Sequence, residues 1–178
     1  MSPLDGLRLA LAAAALALGV WFGRIKAARL ARRAAALAEL MEFTRHLEVQ
    51  IRMGGFALPD ALGECAARFQ GRWVERYAGE LARRYHAQES ARGLWLRALD
   101  ALDGDEPASL AGEDRALMGL FGDQLAGHDL RAIAENFTYL HERLAARIEA
   151  AEQESKAKGK LYRTVGSLAG LACAIVIA

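Results

Sequence analysis

Apolar positions are continuous at the two ends of this chain and periodic between them. From Leu9 to Gly23 the run LALAAAALALGVWFG holds no charge, and the 18 residues from Leu161 to Ala178 hold one, Arg163. At ~1.5 Å rise per residue a helix of the C-terminal length is ~27 Å long, against a hydrocarbon core of ~30 Å. The tail is therefore expected to be a short transmembrane helix, 161–178, with Arg163 snorkelling from its first turn. Gly166 and Gly170 share one of its faces at the spacing that admits a second helix closely. The N-terminal run reaches spanning length only when Leu4 to Arg8 are included, giving a second expected transmembrane helix over 4–23, with Trp21 and Phe22 at the interface.

A cleaved signal peptide is the competing reading of the N-terminus. Arg8 is the only basic side chain before the run, whereas Arg24, Lys26, Arg29, Arg32 and Arg33 follow it. That asymmetry favours an uncleaved anchor with its N-terminus outside. Lys156, Lys158, Lys160 and Arg163 stand on the interior side of the tail, so the segment 24–160 is expected to be cytoplasmic.

Between the ends the periodicity is that of helices. Leu30, Leu37, Met41, Leu47 and Ile51, with Ala34 and Thr44, form a stripe at threes and fours that runs to Gly54 and Gly55. Pro59 suits the first turn of a short second helix bearing Ala61, Leu62 and Cys65. Trp73, Val74, Tyr77, Leu81 and Tyr85 mark a third. Leu94, Trp95, Ala98, Leu99 and Leu102 mark a fourth after the polar break at Gln88 to Ser90. Trp73 and Trp95 are the expected core anchors. Asp103 to Pro107 reads as a loop, and Ser109 as the cap of a fifth helix through Leu117, Leu120 and Phe121. Gly122 and Gly127 bracket the next turn. From Asp129 a sixth helix carries Leu130, Ile133, Phe137, Leu140, Leu144 and Ile148, with no breaker before Gly159. No stretch alternates as a strand does. The pattern predicts an all-α protein: a cytoplasmic bundle of about six helices with a transmembrane helix at each end. Its first and sixth helices run side by side and antiparallel, and the turns 54–58 and 103–112 fall together at the tip.

Composition sharpens this picture. Of 45 charged residues, 43 lie between 24 and 164, so the mean hydropathy of +0.06 averages two apolar ends with a polar centre. The central domain is long enough to bury a core without disulfides or metal. A net charge of +1 gives no general case for nucleic acid; the basic clusters at the membrane junctions suit anionic headgroups. Cys65 and Cys173, one in each kind of segment, form no disulfide framework.

Candidate chemistry is sparse. The sequence has no phosphate-binding glycine loop, no Cys or His pair at zinc spacing and no nucleophile elbow. His46, His86, His128 and His141 are scattered. His46 and His141 lie on the two stem helices and are the candidates for paired metal ligation or phosphate acceptance; their bland reading is as boundary histidines. Glu39 and Glu42 would work as general acid and base only if buried together. Glu135, Glu142 and Glu149 alternate with arginines as on solvated helix faces. No catalytic, cofactor or metal site is assigned, and the chain reads as a non-enzymatic interaction protein.

Four segments in order, LEVQIRMGGFALPDAL (47–62), LWLRAL around Trp95, FGDQLAGHDL (121–130) and KLYRTVGSLAGL (160–171), resemble the stage III sporulation protein AB family, related to the F-type platform proteins of type II secretion. Phe56-Ala57-Leu58-Pro59 replaces the family's Thr-Pro-Leu turn, and Ala126-Gly127 shifts a glycine by one place. The resemblance implies an F-type helical bundle in the mother-cell membrane. It further implies a scaffold role in the secretion-like complex joining mother cell and forespore, with a secretion-type ATPase and other membrane subunits as partners and no cofactor. A phosphotransfer or signalling bundle and a lipid-binding hairpin are the alternatives.

Overall fold

The computed structural model describes residues 3–177 without 86–89 and 126–129; within the helices the side chains of 3–13, 15–16, 105, 130, 163, 166–167, 169–171 and 173–177 also fall outside the described set. Among the described residues the chain is all helical: α1 (Pro3–Arg52), α2 (Leu58–Arg68), α3 (Trp73–Arg84), α4 (Ala91–Asp100), α5 (Asp105–Ser109), α6 (Gly112–Leu125) and α7 (Leu130–Ile177). They form two compact units, Arg32–Glu149 and the paired ends Met1–Ala31 with Ala150–Ala178.

In the larger unit the expected stripe of α1 is inside: Leu37, Met41, Thr44 and Leu47 are buried. The buried face is wider than the stripe, because Ala36, Leu40 and Phe43 are enclosed as well. Phe43 explains the width, since its ring meets Phe69 after α2 and Tyr77 on α3 at centroid distances of 6.4 and 5.8 Å. Ring contacts then continue from Tyr77 to Trp95 (6.0 Å), to Phe121 (5.3 Å) and to Phe137 (5.0 Å), each edge to face. One aromatic series thus threads α1, α3, α4, α6 and α7, in the geometry that ring quadrupoles favour. Thr44 is tolerated in the core because its hydroxyl donates to the Met41 carbonyl at 3.1 Å.

Helices α4 and α6 approach closely, and two glycines permit it. A Cβ on Gly119 would lie 3.1 Å from Leu96, and one on Gly122 would lie 2.3 Å from the Trp95 indole. Gly122 is therefore a packing residue inside α6; the turn it was expected to bracket does not begin there, and Gly127 lies outside the described residues. Alanine at 122 gains up to ~1 kcal/mol of helix propensity, yet overpacking a well-filled core costs ~1–3 kcal/mol. Gly122→Ala is expected to lower the thermal midpoint; an unchanged or raised midpoint in a calorimetric scan would contradict this packing.

The turn chemistry departs from expectation in two places. Asp105–Ser109 forms the short helix α5 where a loop is predicted, because Pro107 fits a first helical turn. Ser109 ends α5 and its hydroxyl donates to the Glu106 carbonyl at 2.6 Å, so it caps nothing. The start of α6 is instead closed by Asp114, whose carboxylate accepts from the Ala111 N–H at 2.9 Å. The polar break expected before α4 ends in its cap, which the sequence pattern does not single out: the Ser90 hydroxyl accepts from the Gly93 N–H at 3.2 Å.

The two turns expected at one tip are separated. Asp114, just past the 103–112 segment, binds Arg33, and the Glu106 charge within that segment acts on Glu39 of α1. The 54–58 turn lies 15 or more residues further along α1, ~20 Å or more at helical rise. It shares its end of the unit with the start of α7, where His141 Nδ1 is 3.7 Å from Glu48. In this unit α1 and α7 run antiparallel, as expected, since Arg147 shares Asp114 with Arg33 while His141 reaches Glu48.

In the smaller unit the inner positions are small. Gly23, Ala27, Ala151 and Gly159 are buried, and a Cβ on Gly159 would lie 3.8 Å from that of Ala27. Gly159 is inside α7 and breaks nothing; it gives room for a neighbour. The expected flanking membrane helices, 4–23 and 161–178, are unsupported. Among the described residues no helix is long and apolar enough to cross a membrane, and most side chains of both segments lie outside that set.

Candidate interaction surface

Among the described residues of the larger unit, the most exposed large apolar groups are collected where α1 turns into α2. Met53 is 86% exposed, Val49 49% and Phe56 42%. Local hydrogen bonds hold this turn: the Val49 carbonyl accepts from the N–H groups of Met53 and Gly54 at 2.9 and 3.3 Å, and the Gln50 carbonyl accepts from Phe56 N–H at 3.3 Å. Two glycines make it possible. Gly55 has φ +64°, the left-handed region, and a Cβ on Gly54 would meet the Phe56 ring at 2.5 Å. The ring is thus laid across Gly54. Glu48, Val49, Arg52 and Met53 line a shallow depression of about 340 Å³ beside it. Its charges are internally paired, Arg52 Nη1 lying 2.5 Å from Glu48 Oε1. What the turn offers a partner is apolar area in a fixed backbone.

The other distinctive cluster is ionic and internal. Asp114 is fully buried, and its two oxygens accept from Arg33 Nε (2.8 Å) and Nη2 (3.1 Å), Arg147 Nη1 (2.9 Å) and the Ala111 N–H. Burial alone raises the carboxyl pKa, but the hydrogen bonds and charges from Arg33, Ala111 N–H and Arg147 prevail and hold it below the ordinary aspartate value. With every acceptor site engaged, the cluster ties α1, α6 and α7 together and leaves no lone pair for chemistry.

Glu39 and Glu42 do meet, but through Arg72, whose Nε is 3.5 Å from Glu39 and Nη1 2.7 Å from Glu42. Burial raises the Glu39 pKa, with Arg72 opposing, while Glu42 is exposed. They are therefore not a buried pair facing a cleft. His46 and His141 are not brought together. His46 contacts Gln50 at 3.2 Å and the Phe69 ring at 5.9 Å, and His141 lies between Glu48 and Phe137. Burial lowers the His141 pKa, opposed by Glu48. His86 and His128 lie outside the described residues. Glu135, Glu142 and Glu149 are exposed. Cys65 is buried and its thiol is pushed up to about 12, so it stays protonated and inert at neutral pH. Among the described residues no three His, Cys, Asp or Glu side chains are grouped to hold a metal.

The ion cluster had a signal in the sequence. Arg33 falls four before Leu37, Asp114 three before Leu117 and Arg147 three after Leu144, so each occupies the apolar phase of its helix. The turn was legible as Gly54-Gly55, but the exposure of Val49, Met53 and Phe56 was not, because hydrophobic side chains at a helix end read as core.

With this arrangement in view, the family comparison decides the assignment. The family model for stage III sporulation protein AB matches residues 8–178. The chain belongs to that family. A sporulation-related role goes with it, and the match runs through both units, including the 49–58 turn and the ion cluster. No curated protein and no solved structure matches the chain.

Proposed function

We propose that this sporulation protein is a non-enzymatic platform subunit of the secretion-like complex between mother cell and forespore, held in the mother-cell membrane by its apolar ends and akin to the F-type platform proteins of type II secretion. Its bundle would face the cytoplasm and couple a secretion-type ATPase to the membrane subunits, without a cofactor. The observation that carries this reading is the rigid apolar turn of Val49, Met53 and Phe56, a surface with contact area and no reactive group. The phosphotransfer alternative is less favoured because both candidate imidazoles are half-buried against rings and polar partners.

The test is a pull-down of the full-length protein against the sporulation ATPase of the same organism, followed by affinity measurement. Met53→Ser combined with Phe56→Ser is expected to weaken binding by roughly 30-fold or more, as loss of central apolar anchors does, with an unchanged melting temperature because both side chains are exposed. Wild-type affinity in the double variant would refute the turn as the docking surface. No binding by the wild type would refute the ATPase as partner.

A further inference from the structure

In the smaller unit the usual order of side chains is inverted. Small residues face inward, Gly23 and Ala27 on α1 and Gly159 on α7, while large apolar ones face outward. On α1 Leu18, Trp21, Phe22 and Ile25, at the spacing of one helix face, are 66, 66, 67 and 46% exposed. On α7 Leu161, Val165 and Leu168 are 57, 51 and 59% exposed, again on one face. Soluble proteins rarely leave such contiguous apolar surface uncovered.

The charges beside these faces are of one sign and unpaired. Arg24, Lys26 and Arg29 are exposed and follow the α1 stripe, with Arg29 one turn beyond Ile25 on the same face. Lys160 adjoins the α7 stripe. None of these four has a carboxylate partner among the described residues, in contrast to Lys156 and Lys158, which pair with Glu152 and Glu154. Cations left free beside exposed aromatic and aliphatic groups are complementary to an anionic bilayer: apolar side chains enter the acyl boundary while guanidinium and ammonium groups meet phosphodiesters.

We infer that the paired helix ends form a lipid-selective face, with Arg24, Lys26 and Arg29 binding anionic phospholipid headgroups beside Trp21 and Phe22. This rests on the membrane placement proposed above and adds headgroup selectivity to it. Zwitterionic lipid would satisfy the apolar stripe, but its phosphate is already neutralised by its own choline, so it adds no net counter-charge for the cations.

The experiment uses the full-length protein in mild detergent, diluted into vesicles of phosphatidylcholine alone or with phosphatidylglycerol, and read by flotation and by tryptophan fluorescence. Trp73 and Trp95 are buried, so the change on binding reports Trp21. The expected result is a blue shift with tighter partitioning onto the anionic vesicles, weakening as salt rises. Partitioning of Arg24→Gln/Lys26→Gln/Arg29→Gln onto anionic vesicles should fall on the order of 100-fold, with little change on neutral ones. Equal binding of wild type to both vesicles overturns headgroup selectivity and leaves the membrane placement standing; binding to neither overturns both. Retention of anionic binding by the triple variant overturns the assignment to these three residues.

Discussion

Asp114→Ala is expected to destabilise the larger unit by about 3–5 kcal/mol, the loss that follows when one partner of a buried ion pair is removed. The reason lies in what remains. The carboxylate is the shared acceptor for Arg33 and Arg147, whose side chains are only 21 and 26% exposed, and for the Ala111 N–H at the start of α6. Without it two guanidinium groups repel across a site they cannot easily leave, and the first turn of α6 loses its cap. Asp114→Asn keeps the shape but turns one acceptor into a donor facing arginine, so it should be nearly as damaging. Glu113→Ala removes the exposed partner of Arg147 at 3.2 Å and should change little, since solvent screens that pair. Thermal melts followed by circular dichroism separate these cases, and a drop below about 1 kcal/mol for Asp114→Ala would mean that the cluster is solvated.

The same cluster sets a pH dependence. The folded pKa of Asp114 is depressed relative to an unfolded value near 3.8. Its contribution is therefore fully present above that unfolded value and is lost as pH falls through the folded one. The stability difference between wild type and Asp114→Ala should be constant between about pH 5 and 8 and shrink below about pH 4. A difference that shrank as pH rose through neutrality would point to another group.

How far the sequence carried depends on what each residue signals locally. Pro59 and the Ala61, Leu62, Cys65 triplet placed α2 and its buried face, and the polar break ending at Ser90 placed the start of α4, because breaks and periodicity are local. The path of the long helices followed from the absence of breakers, but Gly159 was misread. A glycine inside a helix and one that ends it look alike until the neighbour that fills the space, here Ala27, is known. The same holds for Gly122, whose reason is the Trp95 ring on another helix. Asp114 and Arg147 went unnoticed, and Arg33 was read only as part of the basic flank of the N-terminal run, because a charge in an apolar phase has meaning only when its counter-charges are brought from 81 and 33 residues away. In the candidate surface, the glycine pair announced a turn but not that Phe56 would lie across it. The joint tip was an error of the same kind, since helix order alone does not say at which end of the bundle a connection falls.

Trp95→Ala should also cost about 3–5 kcal/mol, as expected for a fully buried indole replaced by a methyl group. The size of the loss follows from how little can move to fill the hole. Trp95 is 1% exposed, held edge to face by Tyr77 on one side and Phe121 on the other. Both rings are themselves pinned: Phe121 by Phe137, and Tyr77 by Phe43 and by its hydroxyl, which donates to the Trp95 backbone carbonyl at 3.3 Å. That bond survives the substitution, so Tyr77 is kept from collapsing into the vacated volume. Gly122 then faces empty space where it met the indole, and the α4–α6 approach loses the contact that fixed it. Gly122→Ala, harmful on its own, should accordingly cost less in the Trp95→Ala background. A double-mutant cycle on melting free energies measures this, with a favourable coupling of about 0.5–3 kcal/mol expected for residues in contact. Strict additivity would mean that the glycine and the indole do not constrain one another, and that the closeness of α4 and α6 has another cause.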